Sequence, residues 1–166
     1  THCESSAASD VYKRQVQLLK EYNPTQGAKR IPAEMITPSA DVTYQFWMKL
    51  DQFQGGKWKC IFCKCKSAND TGARAPGLWI YPNKLKFHPR TNTTGKRNDG
   101  ISGDVPYQIP LKKWINVAFI VRENMMDFYV NGNRVMTGEM KGYMNLNVYD
   151  LYAVSYTHLT LPTIRS

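Results

Sequence analysis

Three groups of side chains in this chain are of types that do chemistry. Cys60, Cys63 and Cys65 crowd into KCIFCKC, a spacing that superficially suggests zinc. Zinc-binding Cys-x-x-Cys pairs sit on turns, where both thiolates converge on the metal. On a strand, Cys60 and Cys63 point to opposite faces, and only Cys63 and Cys65 share one. No second Cys/His pair completes a tetrahedron, so the three read as buried strand thiols. Basic and aromatic residues form the second group. Lys57 and Lys59 share strand parity, as do Lys64 and Lys66, and Lys84 and Lys86. With Arg74, Arg90, Lys96, Arg97, Lys112 and Lys113 they are expected to make a cationic patch at a sheet face or loop rim. Sulfated glycans engage such patches, and an exposed Trp or Tyr stacks on a sugar ring. The expected ligand-binding set is therefore Trp79, Tyr81, Lys84, Lys86, Arg90, Lys96, Arg97 and Tyr107. The competing reading puts the Trp and Tyr residues of strands in the core.

Acidic residues are the third group, and they are badly placed for catalysis. Glu123 and Asp127 flank a polar break, and Glu139 stands alone. His88 is the one histidine away from the chain ends and reads as a strand-end residue. No nucleophile and base are paired, so the chain is not expected to be an enzyme. Asn69-Asp70-Thr71 and Asn92-Thr93-Thr94 are glycosylation sequons, which matter only on a eukaryotic secretory route.

The elements that would position these groups are read from period-two hydrophobicity. Residues 114–121 (WINVAFIV) are apolar at both parities, which predicts a central strand covered on both faces. After the break at Glu123-Asn124, Met126, Phe128 and Val130 alternate with Met125, Asp127 and Tyr129. Asn131-Gly132 then suits a type I′ turn, and Arg134–Thr137 returns as the partner strand. Upstream, Val42, Tyr44, Phe46, Met48 and Leu50 give a strand with one core face. Trp47 falls on the other face, where a loop is expected to cover it. Residues 58–66 form the next strand, 78–81 and 85–88 pair as a hairpin, and 105–109 and 145–153 add two more. Residues 89–104 are the longest stretch without a pattern, either functional or floppy. Residues 16–27 give a short helix or an irregular lead-in, stopped by Pro24 and Gly27.

The chain of 166 residues fits one domain, and no apolar run of about 18 residues is present to span a membrane. Residues 5–15 (SSAASDVYKRQ) and 154–166 (VSYTHLTLPTIRS) resemble translated sequencing-adaptor sequence, as found at the ends of metagenomic proteins. On that reading 1–15 and 154–166 are set aside as artefact, and 16–153 is a domain cut at both ends. Its closing strands would be missing and a sheet edge left open. The net charge of +9 falls only to +8 without the ends, so the excess belongs to the domain. Such a charge favours anionic partners, namely sulfated or uronic polysaccharide, nucleic acid or an acidic membrane surface. Nucleic acid is disfavoured because no RNP-like, Gly-rich or zinc-knuckle motif supports it. Three clustered cysteines make no disulfide framework, so they do not place the chain in an oxidising compartment.

The Trp-led strand followed by Phe-Tyr-Val-Asn-Gly-Asn-Arg-Val resembles the laminin-G-like branch of the concanavalin A-like jelly rolls. VTYQFWMKL at 42–50 and PGLWIYPNKLKF at 76–87 resemble that family's early strand and middle hairpin, and the likeness covers roughly residues 28–153. It implies an all-β, two-sheet antiparallel jelly-roll sandwich. The family holds lectins, adhesion modules and glucanases, so the resemblance is poor for function; the leading expectation is a non-catalytic carbohydrate-binding module, with the net charge pointing to anionic polysaccharide. The alternative is a structural or protein-interaction domain of a larger surface, adhesion or virion protein. An extracellular, cell-surface or virion-associated setting goes with either. Glucanases of the family carry Glu-x-Asp-x-x-Glu on one strand, with two carboxylates about 5–5.5 Å apart. This chain has no such motif. Calcium is the one cofactor the resemblance implies, at the loop rim, with Asp70, Asp99 and Asp104 the candidate ligands.

Overall fold

The computed structural model describes residues 16–17, 29–36, 38–67, 72–101, 105–153 and 158–165. Among them are the strands β1 (Val16–Gln17), β2 (Lys29–Ile31), β3 (Val42–Lys49), β4 (Lys59–Lys64), β5 (Gly77–Ile80), β6 (Phe87–Arg90), β7 (Trp114–Arg122), β8 (Met125–Val130), β9 (Asn133–Glu139), β10 (Leu151–Ala153) and β11 (His158–Arg165). A short 3₁₀ turn at Ala33–Met35 follows β2. All the strand pairings are antiparallel. They build a six-stranded sheet, ordered β1-β11-β3-β7-β8-β9, and a five-stranded sheet, ordered β2-β10-β4-β5-β6. This is the two-sheet jelly-roll sandwich expected.

Alternation decides what each sheet turns inward. In β3, Val42, Tyr44, Phe46 and Met48 are buried while Gln45 and Trp47 are exposed. In β7, Ile115, Val117, Phe119 and Val121 are buried. The β7–β8 register sets Phe119 opposite Phe128, and β8 hands over to β9 through Asn131 (φ 50°) and Gly132 (φ 79°). Both angles are the positive values that a type I′ turn demands. Across the sandwich an aromatic chain ties the layers together. Tyr44 stacks on Phe62 at 4.9 Å, Phe62 lies 6.2 Å from Phe119, and Phe128 lies 5.0 Å from Phe87. Each such pair contributes about 0.5–1.5 kcal/mol beyond the area it buries.

Several expectations change. β7 is not covered on both faces: Trp114 is 46% exposed and Asn116, Ala118 and Ile120 are half-buried. Its second apolar set therefore belongs to an outer surface. Trp47 is likewise 49% exposed rather than covered. Residues 105–109 form no strand, since Pro106 has no N–H to give a ladder; Val105 and Ile109 are nevertheless buried. Of 145–153 only Leu151–Ala153 is a strand. On the lead-in segment, Val16–Gln17 is β1 and residues 18–28 lie outside the described residues. His158–Arg165, set aside on sequence grounds, pairs with β3 from Thr43 to Lys49, so that edge is not open.

The stretch after β6 is ordered by polar groups instead of apolar ones. Thr91, Asn92, Thr93 and Asp99 are all buried. Thr91 and Asp99 bridge in antiparallel fashion, and Asn92 donates to the Gly72 carbonyl while accepting the Asn98 N–H. Asn92 is buried and its side-chain nitrogen is held by the Gly72 carbonyl, so this residue of the second sequon plays a structural part. Asp99 accepts the N–H of Gly100 (2.9 Å), the N–H of Lys141 (2.5 Å) and the Thr93 hydroxyl (2.9 Å). A second polar rivet lies nearby. The buried Lys64 ammonium donates to the Asn147 and Tyr149 carbonyls and to Asn147 Oδ1, while Asn147 donates back to the Lys64 and Ala73 carbonyls. Burial lowers the Lys64 pKa, and three acceptors keep the charge tolerable.

Burial alone would raise the Asp99 carboxyl, but its two N–H donors and the Thr93 hydroxyl outweigh it and hold it below the usual carboxylate range. A depressed folded-state pKa gives stability that is full above the unfolded value, about 4, and lost as pH falls through the folded one. Acid titration of thermal stability should show this limb in the wild type and a flatter one in Asp99→Asn. Equal acid limbs in both proteins would remove Asp99 from the account.

Candidate functional site

The outer face of the five-stranded sheet gathers aromatic and cationic side chains. In β5, Leu78 and Ile80 face the core, so Trp79 and, just beyond the strand, Tyr81 face out. In β6, Phe87 and Pro89 are buried, which turns His88 and Arg90 out beside them. Trp58 enters just before β4 and completes an aromatic ledge. Its ring lies 4.9 Å from Tyr81 and 4.7 Å from His88, with Tyr81 and His88 4.7 Å apart. Trp58 is 50% exposed, so the ledge is open to a ligand.

Hydrogen bonds fix the ledge and its protons. Arg90 Nε donates to His88 Nε2 at 2.9 Å. A guanidinium only donates, so Nε2 must hold a lone pair and the imidazole must be neutral, with its proton on Nδ1. That proton goes to the Tyr81 hydroxyl, 2.8 Å away. Arg90 is braced from behind by the Ile101 carbonyl at 2.7 Å. Gly100 (φ 150°) makes this possible, since a Cβ there would meet the Pro89 carbonyl at 2.6 Å and Arg90 Nη1 at 3.0 Å. Lys84 Nζ stands 4.2 Å from the Tyr81 ring centroid, a cation–π contact.

A basic shelf continues from the ledge. Arg74 lies over the Trp79 ring at 5.1 Å and donates to Asn98 Oδ1. Burial lowers the Arg74 guanidinium; the Cys63 sulfur opposes this, while the positive charges of Arg97 and Arg90 lower it further. Mutual repulsion among cations on one face is relieved by a bound anion.

Of the expected ligand-binding set, Tyr81, Lys84 and Arg90 come together here. Arg97 is exposed beside Arg74, and Lys96 is exposed at the tip of the turn it closes with Thr93. Lys86 is half-buried, and its backbone closes the 81–86 turn. Trp79 is no stacking ring, being 8% exposed and packed with Cys63, Cys65, Cys60 and Tyr152 beneath Arg74. Tyr107 sits elsewhere, stacked on the inward-facing Phe87 at 6.5 Å. Among the other lysines, Lys59 and Lys64 are buried and leave the cationic surface. Trp58 and His88 join the candidate site although they were not in the expected set. The parity signal was present, because Phe87 and Pro89 inward force His88 and Arg90 onto the face of Tyr81.

The cysteines follow a different geometry from the one expected. A bulge between Cys60 and Phe62 shifts the β4 register, so Cys60, Cys63 and Cys65 all pack on the outer face with Trp79. Burial is the leading influence raising the Cys60 thiol. For Cys63 it is the hydrogen bond with Cys65, followed by burial. As for calcium, Asp70 and Asp104 lie outside the described residues. Asp99 has both carboxylate oxygens engaged by protein donors and does not fit the role of a calcium ligand. Among the described residues no group of three His, Cys, Asp or Glu side chains is placed to hold a metal, and no helix is long and apolar enough to cross a membrane.

A laminin-G family described as the concanavalin A-like lectin/glucanases superfamily matches residues 23–154, most of the chain. The chain belongs to that superfamily. Sheep galectin-11 in complex with glycerol is similar in structure, with TM-score 0.57, 12% identity, and coverage of 87% of this chain and 98% of the galectin. The alginate lyase Aly36B gives TM-score 0.57 at 14% identity, covering 92% of this chain and 80% of the lyase. A Trypanosoma rangeli sialidase in complex with 2,3-difluorosialic acid gives TM-score 0.54 at 14% identity over 75% of this chain, which spans only 20% of the sialidase. No curated protein matches the chain.

Raised thiol pKa values leave little thiolate at mildly alkaline pH. Cys63, fully buried, should therefore react with a disulfide reagent only as fast as the protein unfolds. Its reaction at the rate of a free thiol would contradict the packing described.

Proposed function

We propose that the chain is a non-catalytic carbohydrate-binding module whose site is the Trp58–Tyr81–His88 ledge with Arg90 and Lys84, and whose preferred ligands are acidic saccharides. The observation that carries the reading is one contiguous surface with an open aromatic ring at one end and cations at the other. An indole half exposed to water offers a sugar its apolar face, and Tyr81 and Arg90 offer hydrogen bonds. Arg90, Arg74 and Arg97 would then meet a carboxylate or sulfate. The names of two structural neighbours support an acidic ligand, since alginate and sialic acid are both acidic saccharides. Carboxylate-based glycoside hydrolysis is no part of the proposal: the side chains of the ledge and shelf include no carboxylate.

A protein-interaction role is the second reading, favoured by one observation. The rim segment after Gly142 exposes Tyr143 (59%), Leu146 (51%) and Val148 (75%), held in place by Asn147 and Lys64. Apolar side chains fixed in this way suit a protein surface.

Calorimetric titration with alginate and heparin oligosaccharides separates the readings. Binding should weaken as salt rises. Trp58→Ala and Arg90→Gln should each lower affinity roughly 10-fold, while Leu146→Ser leaves it unchanged. Absence of binding to both oligosaccharides, or binding indifferent to Trp58→Ala and Arg90→Gln, would refute the proposal.

A further inference from the structure

The opposite face of the molecule carries apolar side chains that the sandwich does not use. On the outside of the six-stranded sheet the β3–β7–β8 register sets Gln45 beside Ala118 and Ala118 beside Tyr129. Ala118 is the shortest side chain in that row, and taller neighbours surround it. The result is a hollow of about 310 Å³, lined by Thr43, Gln45, Asn116, Ala118, Ile120 and Tyr129 and closed at one end by Gly132 of the hairpin turn. Trp47, opposite Asn116, is 49% exposed, and Trp114, one diagonal step away, is 46% exposed. Gln45 Nε2 donates to Asn116 Oδ1 at 3.1 Å, which orients two amides across the floor.

We infer that this hollow is a second saccharide site, specific for uncharged sugars and distinct from the basic ledge on the other sheet. The lining side chains carry no charge, although the chain as a whole is +9. Among the described side chains, the charges that border it have partners of their own. Lys49 stands 6.0 Å from the Trp114 ring centroid and 3.2 Å from Asp51, and Asp127 lies 3.8 Å from Arg122 and 3.9 Å from Arg134. An acidic sugar would have to shed water there without meeting a cation, at a cost in binding. A neutral pyranose suits the surface, with one flat C–H face for an indole and hydroxyls for the Gln45 amide and the Tyr129 phenol. A hollow also argues against a flat protein partner, which would leave it unfilled. This site does not rest on the ledge, and the two can be lost separately.

The test titrates the full chain with cellohexaose and xylohexaose, following tryptophan fluorescence and heat at low and high salt. Binding of at least one should be indifferent to salt, weakened roughly 10-fold by Trp47→Ala, abolished by Ala118→Trp, which fills the hollow, and unchanged by Trp58→Ala. Circular dichroism checks that each variant keeps its sheets. The inference is overturned if the wild type binds neither probe, if binding survives Ala118→Trp, or if Trp58→Ala removes it. It is equally overturned if the wild type sediments as a dimer that Trp47→Ala dissociates, since a second copy would then occupy the face.

Discussion

Everything visible on the surface of this molecule depends on which side chains meet across the sandwich. Tyr44, Phe62, Phe119, Phe128 and Phe87 make a continuous aromatic layer between the two sheets. A strand has only two faces, so anchoring Phe119 inward turns Ala118 and Ile120 outward, and anchoring Phe87 inward does the same for His88. The candidate surfaces are thus the reverse side of the core. A register slip of one residue in β6 would bury His88 and Arg90 and expose Phe87, which the core packing forbids.

One rim of the sandwich is held by a different kind of force. Asp99 and Lys64 are charged groups buried at loop crossings, each saturated with partners. Removing one partner from such a group leaves an uncompensated charge, so these rivets hold the loops in one arrangement. The consequence reaches the ledge. Gly100 follows Asp99 directly, and Ile101 supplies the carbonyl that braces Arg90. Loop order and the position of the Arg90 guanidinium are therefore one structural problem.

Much of this was legible in the residues. The alternation of 42–50, the Asn131-Gly132 turn and the 78–88 hairpin all appear as expected, because side-chain period and turn chemistry are local properties. That Tyr81, Lys84 and Arg90 share an outer face was also readable. What was not legible depends on events between strands. A bulge at Cys60/Phe62 moved three thiols to one face, and nothing in KCIFCKC announces it. Trp79 has the parity of an exposed ring, yet Arg74 from a distant loop lies over it. Both apolar parities of β7 suggested a doubly covered strand, whereas the second set lines an open hollow. Trp58 stands outside β4 and gains its role only through the approach of the β5–β6 hairpin.

The most direct test of the account is a nuclear magnetic resonance titration of the chain with an alginate hexasaccharide. The largest shifts should fall on the Trp58 indole N–H, the His88 ring and the Arg90 side chain, with the resonances of Trp47 and Trp114 unmoved. Shifts confined to the six-stranded sheet, or none at saturating saccharide, would contradict it.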